Sequence, residues 1–184
     1  SLAFSFVWRR KSWQDGRVNK KVERNYLEIT SLKDFRDTFY NSDEYNIQIV
    51  NPVDFQLNKF FYKNIGKNHN WVDRLVWSEK QWIDYVSNPK VQTYILKAKG
   101  DLAGYFELIS HFELKEVEIA YLGLLKDYQN KKLGSYILSA AIKNSFSNKP
   151  NRVWVHTCSL DHKNALNNYI SRGMKIFKKE TIFL

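Results

Sequence analysis

Apolar residues recur along the chain with two periods, and the switches between them lay out a series of strands and helices. Val22–Thr30 and Asn46–Val50 are short runs rich in Ile, Val and Tyr, which predicts strands. Asn51-Pro52 then reads as a helix start, with asparagine as cap and proline at the first helical position. Val53, Leu57, Phe60, Phe61 and Ile65 supply the apolar face of that helix, and Gly66 its stop. Ser78 and Gln81 have capping-box spacing and open a second helix that runs through Val86 and ends before Pro89. Val91–Ala98 and Leu102–Phe112 predict two strands around Lys99-Gly100-Asp101, a hairpin tip. A further strand spans 116–125, and Leu133, Ile137, Leu138, Ala141, Ile142 and Phe146 mark one face of an amphipathic helix. Arg152–Thr157 predicts a strand, Asp161 caps a helix to Arg172, and Met174–Phe183 closes as a strand. This order predicts an α/β fold, a mixed sheet of six or seven strands with about four helices on both faces.

The most informative stretch is where the two periods meet. Val117–Leu125 holds one charge, Glu118, in an otherwise uncharged run, and a basic, glycine-containing loop leads from it into the helix. Such a strand–loop–helix unit aims backbone N–H groups and the positive end of the helix dipole at one point, which suits a phosphate. A buried carboxylate is costly unless it is paired or functional, so Glu118 is either a base or the partner of a neighbouring strand's Lys or Arg.

Composition narrows the class. At 184 residues the chain is expected to be one domain, 1–184, with residues 1–21 an irregular N-terminal extension. No apolar run approaches the ~18 residues of a membrane helix. Cys158 is the single cysteine, which excludes an intrachain disulfide and points to the cytoplasm. The net charge of +10 suits a polyanionic ligand, but the basic residues are spread along the chain, with one tight cluster at 17–24. A nucleic-acid-binding protein is therefore the weakest of the functional readings.

Three separated blocks resemble the GNAT superfamily of acyl-CoA N-acyltransferases. The loop Gln129-Asn130-Lys131-Lys132-Leu133-Gly134 is similar to the family's Gln/Arg-x-x-Gly-x-Gly/Ala motif, with Lys132 where the first glycine stands. At a position that needs positive φ, lysine costs about 1 kcal/mol; on helical backbone it costs nothing. Glu118 stands eleven residues before Gln129, the family's spacing for a general base. Ala165, Tyr169 and Gly173 match the pattern of the last helix, with Met174 for phenylalanine and His162 where asparagine is usual. The resemblance covers roughly residues 78–180. It implies acetyl-CoA as donor, no metal, and direct transfer to a primary amine, more readily a small molecule than a protein, by a monomer or homodimer.

The same resemblance implies roles. Glu118 would be the base and Tyr169 the acid, although core packing alone accounts for the tyrosine's place in the helix pattern. Leu124, Leu125, Gln129, Asn130, Lys131, Lys132, Leu133, Gly134, Ser135 and His162 would hold coenzyme A. The family's bulged strand end would fall at Gly123–Leu125, with Gly123 giving close approach and the Leu124 N–H serving as oxyanion donor. Trp71, Asp73, Arg74 and His156 border the expected acceptor pocket, Arg74 as clamp for a substrate carboxylate and Asp73 or Asp161 for a second positive group. A His156/Cys158 nucleophilic pair is a remote alternative, because a thiolate needs a nearby base. The competing reading of the whole chain is an inactive acyl-CoA-binding module of the same fold, to which Lys132 would testify.

Overall fold

The computed structural model describes residues 20–38, 43–129, 132–161 and 164–183. Seven strands form one sheet among them: β1 Lys21–Ile29, β2 Tyr45–Ile49, β3 Val91–Ala98, β4 Asp101–His111, β5 Glu116–Leu124, β6 Arg152–Cys158 and β7 Lys175–Phe183. Four α-helices accompany them: α1 Phe55–Gly66, α2 Glu79–Ser87, α3 Leu133–Ser145 and α4 Ala165–Ser171. The spatial order is β2-β3-β4-β5-β6-β1-β7, with β5 and β6 parallel and the other pairs antiparallel. The first strand in sequence therefore lies inside the sheet, between the sixth and the seventh. Linear pattern did not foretell that insertion, because β1 has no sequence neighbour among its partners.

The helix starts follow local chemistry. Ser78 and Gln81 form the capping box of α2, with the Ser78 side chain accepting from the Gln81 N–H at 3.2 Å and the Gln81 side chain from the Ser78 N–H at 2.8 Å. The cap of α1 is Asp54, not Asn51: its carboxylate accepts from the Gln56 N–H at 3.0 Å, and Pro52 stays outside the helix. The buried face of α1 is also rotated from the one expected. Asn58, Phe61, Tyr62 and Ile65 are buried, while Val53 and Phe60 are exposed. Asn58 is drawn inward by two acceptors, Thr93 Oγ1 at 2.8 Å and Glu107 Oε1 at 3.1 Å.

Two cores divide the sheet. The larger joins α3 and α4 to one face through Leu27, Phe106, Val117, Ile119, Leu133, Ile137, Leu138, Val153, Val155 and Tyr169. The smaller packs Phe61 and Ile65 of α1 on Ile95 and Tyr105 of the other face. Among the described residues no helix is long and apolar enough to cross a membrane.

Candidate functional site

Strands β5 and β6 pair only over Glu116–Glu118 and Arg152–Trp154. Past that point both continue, to Leu124 and Cys158, without pairing, so a wedge opens between them. The cause lies in β5. Its register with β4 slips between Glu107, opposite Tyr121, and Leu108, opposite Ile119, leaving Ala120 as an extra residue. A bulge of this kind bends the strand and increases its twist. The irregularity thus sits at Ala120, not at the expected 123–125. Gly123 is small for another reason: a Cβ there would lie 2.7 Å from Ile65 Cγ2, in the packing of α1 on the sheet.

The Leu125 N–H donates to Ala103 O at 2.8 Å and its carbonyl accepts from the Tyr128 N–H at 2.9 Å. The Leu125 N–H and carbonyl are thus both engaged within the protein. Backbone groups alternate sides along a strand, so Leu124 turns its N–H away from β4 and into the wedge. Its carbonyl accepts from Gln129 Nε2 at 3.2 Å, and the motif glutamine is thereby a brace for the strand end.

At the wedge's mouth stands the N-terminus of α3. No side chain caps it and its first turn carries no acid. The first N–H groups of a helix have no partner within it, and the dipole leaves them facing positive potential. Gly134 has only Asn168 Nδ2 within reach of an added Cβ, at an ordinary 3.7 Å. Among the described residues nothing requires glycine there; what it provides is open access to the backbone. This donor set fits a pyrophosphate. Lys132 has φ +58°, so the lysine does occupy a left-handed position and carries the associated cost. Leu133 is fully buried and can contribute only backbone. The Ser135 hydroxyl donates to Asn168 Oδ1 at 3.2 Å, tying α4 to this terminus. Asn130, Lys131 and His162 lie outside the described residues.

The two candidate proton carriers lie on opposite faces of the sheet. Val117 and Ile119 face the larger core, so Glu118 between them faces the other way. Val153 and Val155 likewise turn Trp154 and His156 to the Glu118 side. Tyr169 is buried in the larger core, on α4. Glu118 is not paired with a lysine or arginine; its Oε2 lies 3.1 Å from His111 Nε2. Arg152, the nearest basic residue along β6, is held instead by Glu28 at 3.1 Å and Glu116 at 3.2 Å. Burial, reinforced by the Asp161 charge, pushes the Tyr169 phenol well up, so it holds its proton at neutral pH.

The end of β6 is organised by Asp161. It accepts from the Thr157 hydroxyl at 2.5 Å and the Cys158 N–H at 2.9 Å. Asn164, not Asp161, precedes α4, and both of these Asp161 hydrogen bonds are accepted by Oδ2. Cys158 shares a face with His156, but burial and then the Asp161 charge push its thiol up, which disfavours a thiolate nucleophile. His156 stands exposed beside the Tyr26 ring, 5.7 Å between centroids. Crowding by protein atoms, and then the Arg24 charge, lower its pKa and keep it neutral.

The loop between α1 and α2 splits into two parts. Trp71 lies over Gly123 and meets the Tyr121 ring at 4.8 Å, on the Glu118 face. Asp73 is exposed, and partial desolvation raises its pKa despite the neighbouring Arg74. Arg74 is not a clamp for substrate. Its guanidinium is 4% exposed, lies 2.9 and 3.0 Å from the two oxygens of Glu107, and sits over the Tyr85 and Tyr121 rings at 4.1 and 4.2 Å. Burial alone would lower its pKa, but Glu107 outweighs that and holds it well above the ordinary value. Glu107 and His111 were missed in the sequence. Glu107 carried the same signal as Glu118, a lone carboxylate in an apolar strand.

Comparison with known proteins agrees with this geometry. Residues 55–174, well over half of the chain, match the family model described as the acetyltransferase (GNAT) family. A GCN5-related N-acetyltransferase from Sphaerobacter thermophilus is similar in structure, with TM-score 0.68 at 9% identity over 88% of this chain and 50% of that one. This chain thus spans half of that protein's length. An aminoglycoside acetyltransferase from an uncultured soil metagenomic sample gives TM-score 0.59 at 11% identity, over 71% of this chain and 88% of that one. The ribosomal-protein-S18-alanine N-acetyltransferase from Escherichia coli gives 0.55 at 17%, over 70% and 76%. No curated protein sequence matches the chain. With the wedge, the uncapped α3 terminus and the family match in agreement, the chain belongs to the GNAT acetyltransferase family.

Proposed function

We propose that this chain is an acetyl-CoA-dependent N-acetyltransferase that acts on a small primary amine by direct attack. The observation that carries the proposal is the opening of β5 from β6 immediately past Glu118 and Trp154. The opening joins a carboxylate on one face to a protonated phenol on the other, with the α3 terminus at its mouth. Backbone N–H groups of 132–135 hold the pyrophosphate of the donor, and Gly134 gives them access. Glu118 takes a proton from the acceptor ammonium, directly or through water. The freed amine attacks the thioester carbonyl from the Glu118 face, and the Leu124 N–H donates to the oxyanion. The C–S bond then breaks, and the Tyr169 hydroxyl gives its proton to the departing thiolate. The new amide nitrogen sheds its second proton to water, and the phenolate regains a proton from water, so that one turnover releases one proton in all. Direct attack is favoured over a Cys158 intermediate because the thiol's pKa is raised, not lowered.

Trp71 and Tyr121 form an aromatic wall on the acceptor side, with Asp73 beyond it. Aromatic faces and a carboxylate suit a cationic amine. The test is release of free thiol from acetyl-CoA in the presence of an aminoglycoside, a polyamine, an amino-acid amide and an alanine-terminated peptide. Amine-dependent release with a small amine preferred to the peptide is expected. Acetyl-CoA raising the melting temperature without any amine-dependent thiol release would instead leave a binding module, and no thermal shift at millimolar acetyl-CoA would overturn the whole reading.

A further inference from the structure

A base at the closed end of a wedge must be emptied after each turnover. With donor and acceptor seated between β5 and β6, exchange of Glu118 with bulk water from that side is blocked. We propose that His111 is its proton outlet, a positioning and proton-carrying residue that acts through Glu118; the proposal rests on the acetyltransferase reading above. His111 ends β4, on the side of Glu118 away from the wedge, and its Nε2 meets the Glu118 carboxylate at 3.1 Å. Its ring stacks on Trp154, 6.1 Å between centroids and 21° between planes, which fixes its orientation. Trp154 is the residue opposite Glu118 where pairing with β6 ends, so one contact holds the outlet and marks the start of the wedge.

Behind the ring lies a cavity of about 310 Å³ between the β4–β5 hairpin and the turn before β6. Phe112, Val117 and Pro150 give it an apolar wall, but His111, Lys115, Glu116 and Lys149 also line it, and it is wide enough for several waters. The His111 side chain is 28% exposed, against 15% for Glu118, so the proton moves from the more sheltered group to the less sheltered one. In its Nδ1–H tautomer, neutral His111 takes at Nε2 the proton that Glu118 removed from the acceptor ammonium. The imidazolium then releases the Nδ1 proton to cavity water, and exchange with that water restores the Nδ1–H tautomer, so that carboxylate and imidazole return to their starting state. Charged groups face this path from every side. Glu116 and Glu118 lie on β5, Arg152 on β6 is neutralised by Glu28 of β1 and by Glu116, and Lys115 and Lys149 stand at the cavity rim.

The test uses the whole chain with acetyl-CoA and whichever amine of the panel above gives the fastest thiol release. His111→Gln keeps a polar side chain beside Glu118 but cannot carry a proton. It should lower kcat by ~10-fold or more with the acetyl-CoA KM unchanged, and enlarge the solvent isotope effect on kcat. In His111→Ala, added imidazole should restore kcat in a concentration-dependent way while leaving wild type unaffected. A merely structural histidine would shift melting temperature and KM without imidazole rescue, and that outcome overturns the proposal. Unchanged kcat and isotope effect in a folded His111→Gln also overturn it while leaving the acetyltransferase reading intact. A wild type that releases no thiol with any amine overturns both.

Discussion

Two carboxylates face the same side of adjacent strands, and their surroundings give them opposite roles. Glu107 on β4 is fully buried beneath α1 and α2. It is held by Arg74 through both oxygens, by Asn58 at 3.1 Å and by the Tyr85 hydroxyl at 3.0 Å. Every lone pair that matters is taken, and no proton transfer is open to it. Glu118 on β5 is partly exposed at the foot of the wedge and meets one titratable partner, His111. The difference is made by what covers each strand. The helices α1 and α2 close over β3–β4 and leave the Glu118–Trp154–His156 side of the sheet without a helix. A buried acid in an apolar strand is therefore a strut where its charge is saturated and a candidate base where it is not.

The largest expected effect is on the strut. Arg74→Ala leaves the Glu107 charge buried without its partner, and should cost about 3–5 kcal/mol of stability in denaturant titration. Replacing Arg74 and Glu107 together by apolar residues of similar volume should recover much of that loss. If Arg74→Ala were neutral for stability and instead raised the acceptor KM, the strut assignment would fail. Next in size is Tyr169→Phe, which should lower kcat by about 10²–10³-fold with little change in stability or acetyl-CoA binding. Full activity in that variant would remove the tyrosine from the proton path.

Two smaller effects concern local strain and titration. Lys132→Gly relieves a left-handed lysine and should raise stability by about 1 kcal/mol, a rise of roughly 2–4 °C in Tm for a chain of this size. A decrease would mean that the lysine side chain makes a compensating contact. The smallest effect is at His156, whose folded-state pKa is lowered by its surroundings. The unfolded chain then binds more protons between that lowered value and the ordinary ~6.5, so the histidine's contribution falls as pH drops through this window. His156→Gln should flatten the slope of Tm against pH there, and an unaltered slope would assign it to other groups.

Much of this was legible in the chain because it rests on local signals. The Ser78–Gln81 capping box, the Lys99-Gly100 hairpin and the α3 periodicity each encode an element within a few residues. The family was legible because its spacing links Glu118 to the 129–134 motif, and the match over residues 55–174 agrees. Other features depend on residues distant in sequence. The insertion of β1 between β6 and β7, the bulge at Ala120 and the Glu107 partnership all follow from tertiary pairing. Arg74 shows the cost of local reading. Placed in a polar loop, it looked available to substrate, and only the fold shows Glu107, 33 positions away, claiming it. The α1 face was misjudged for the same reason: Asn58 is buried by partners on β3 and β4.

The measurement that bears most directly on the contrast is a paired comparison of Glu118→Gln with Glu107→Gln. Both remove one charge from the same face of the sheet. For each variant, kcat at saturating acetyl-CoA would be measured across pH beside Tm and the acetyl-CoA dissociation constant. Glu118→Gln should lower kcat by about 10²–10⁴-fold while Tm and donor affinity stay near wild type. Glu107→Gln should lower Tm while the folded fraction keeps its kcat. The reverse pattern, with Glu107→Gln silencing a stable enzyme and Glu118→Gln unfolding an active one, would contradict the account.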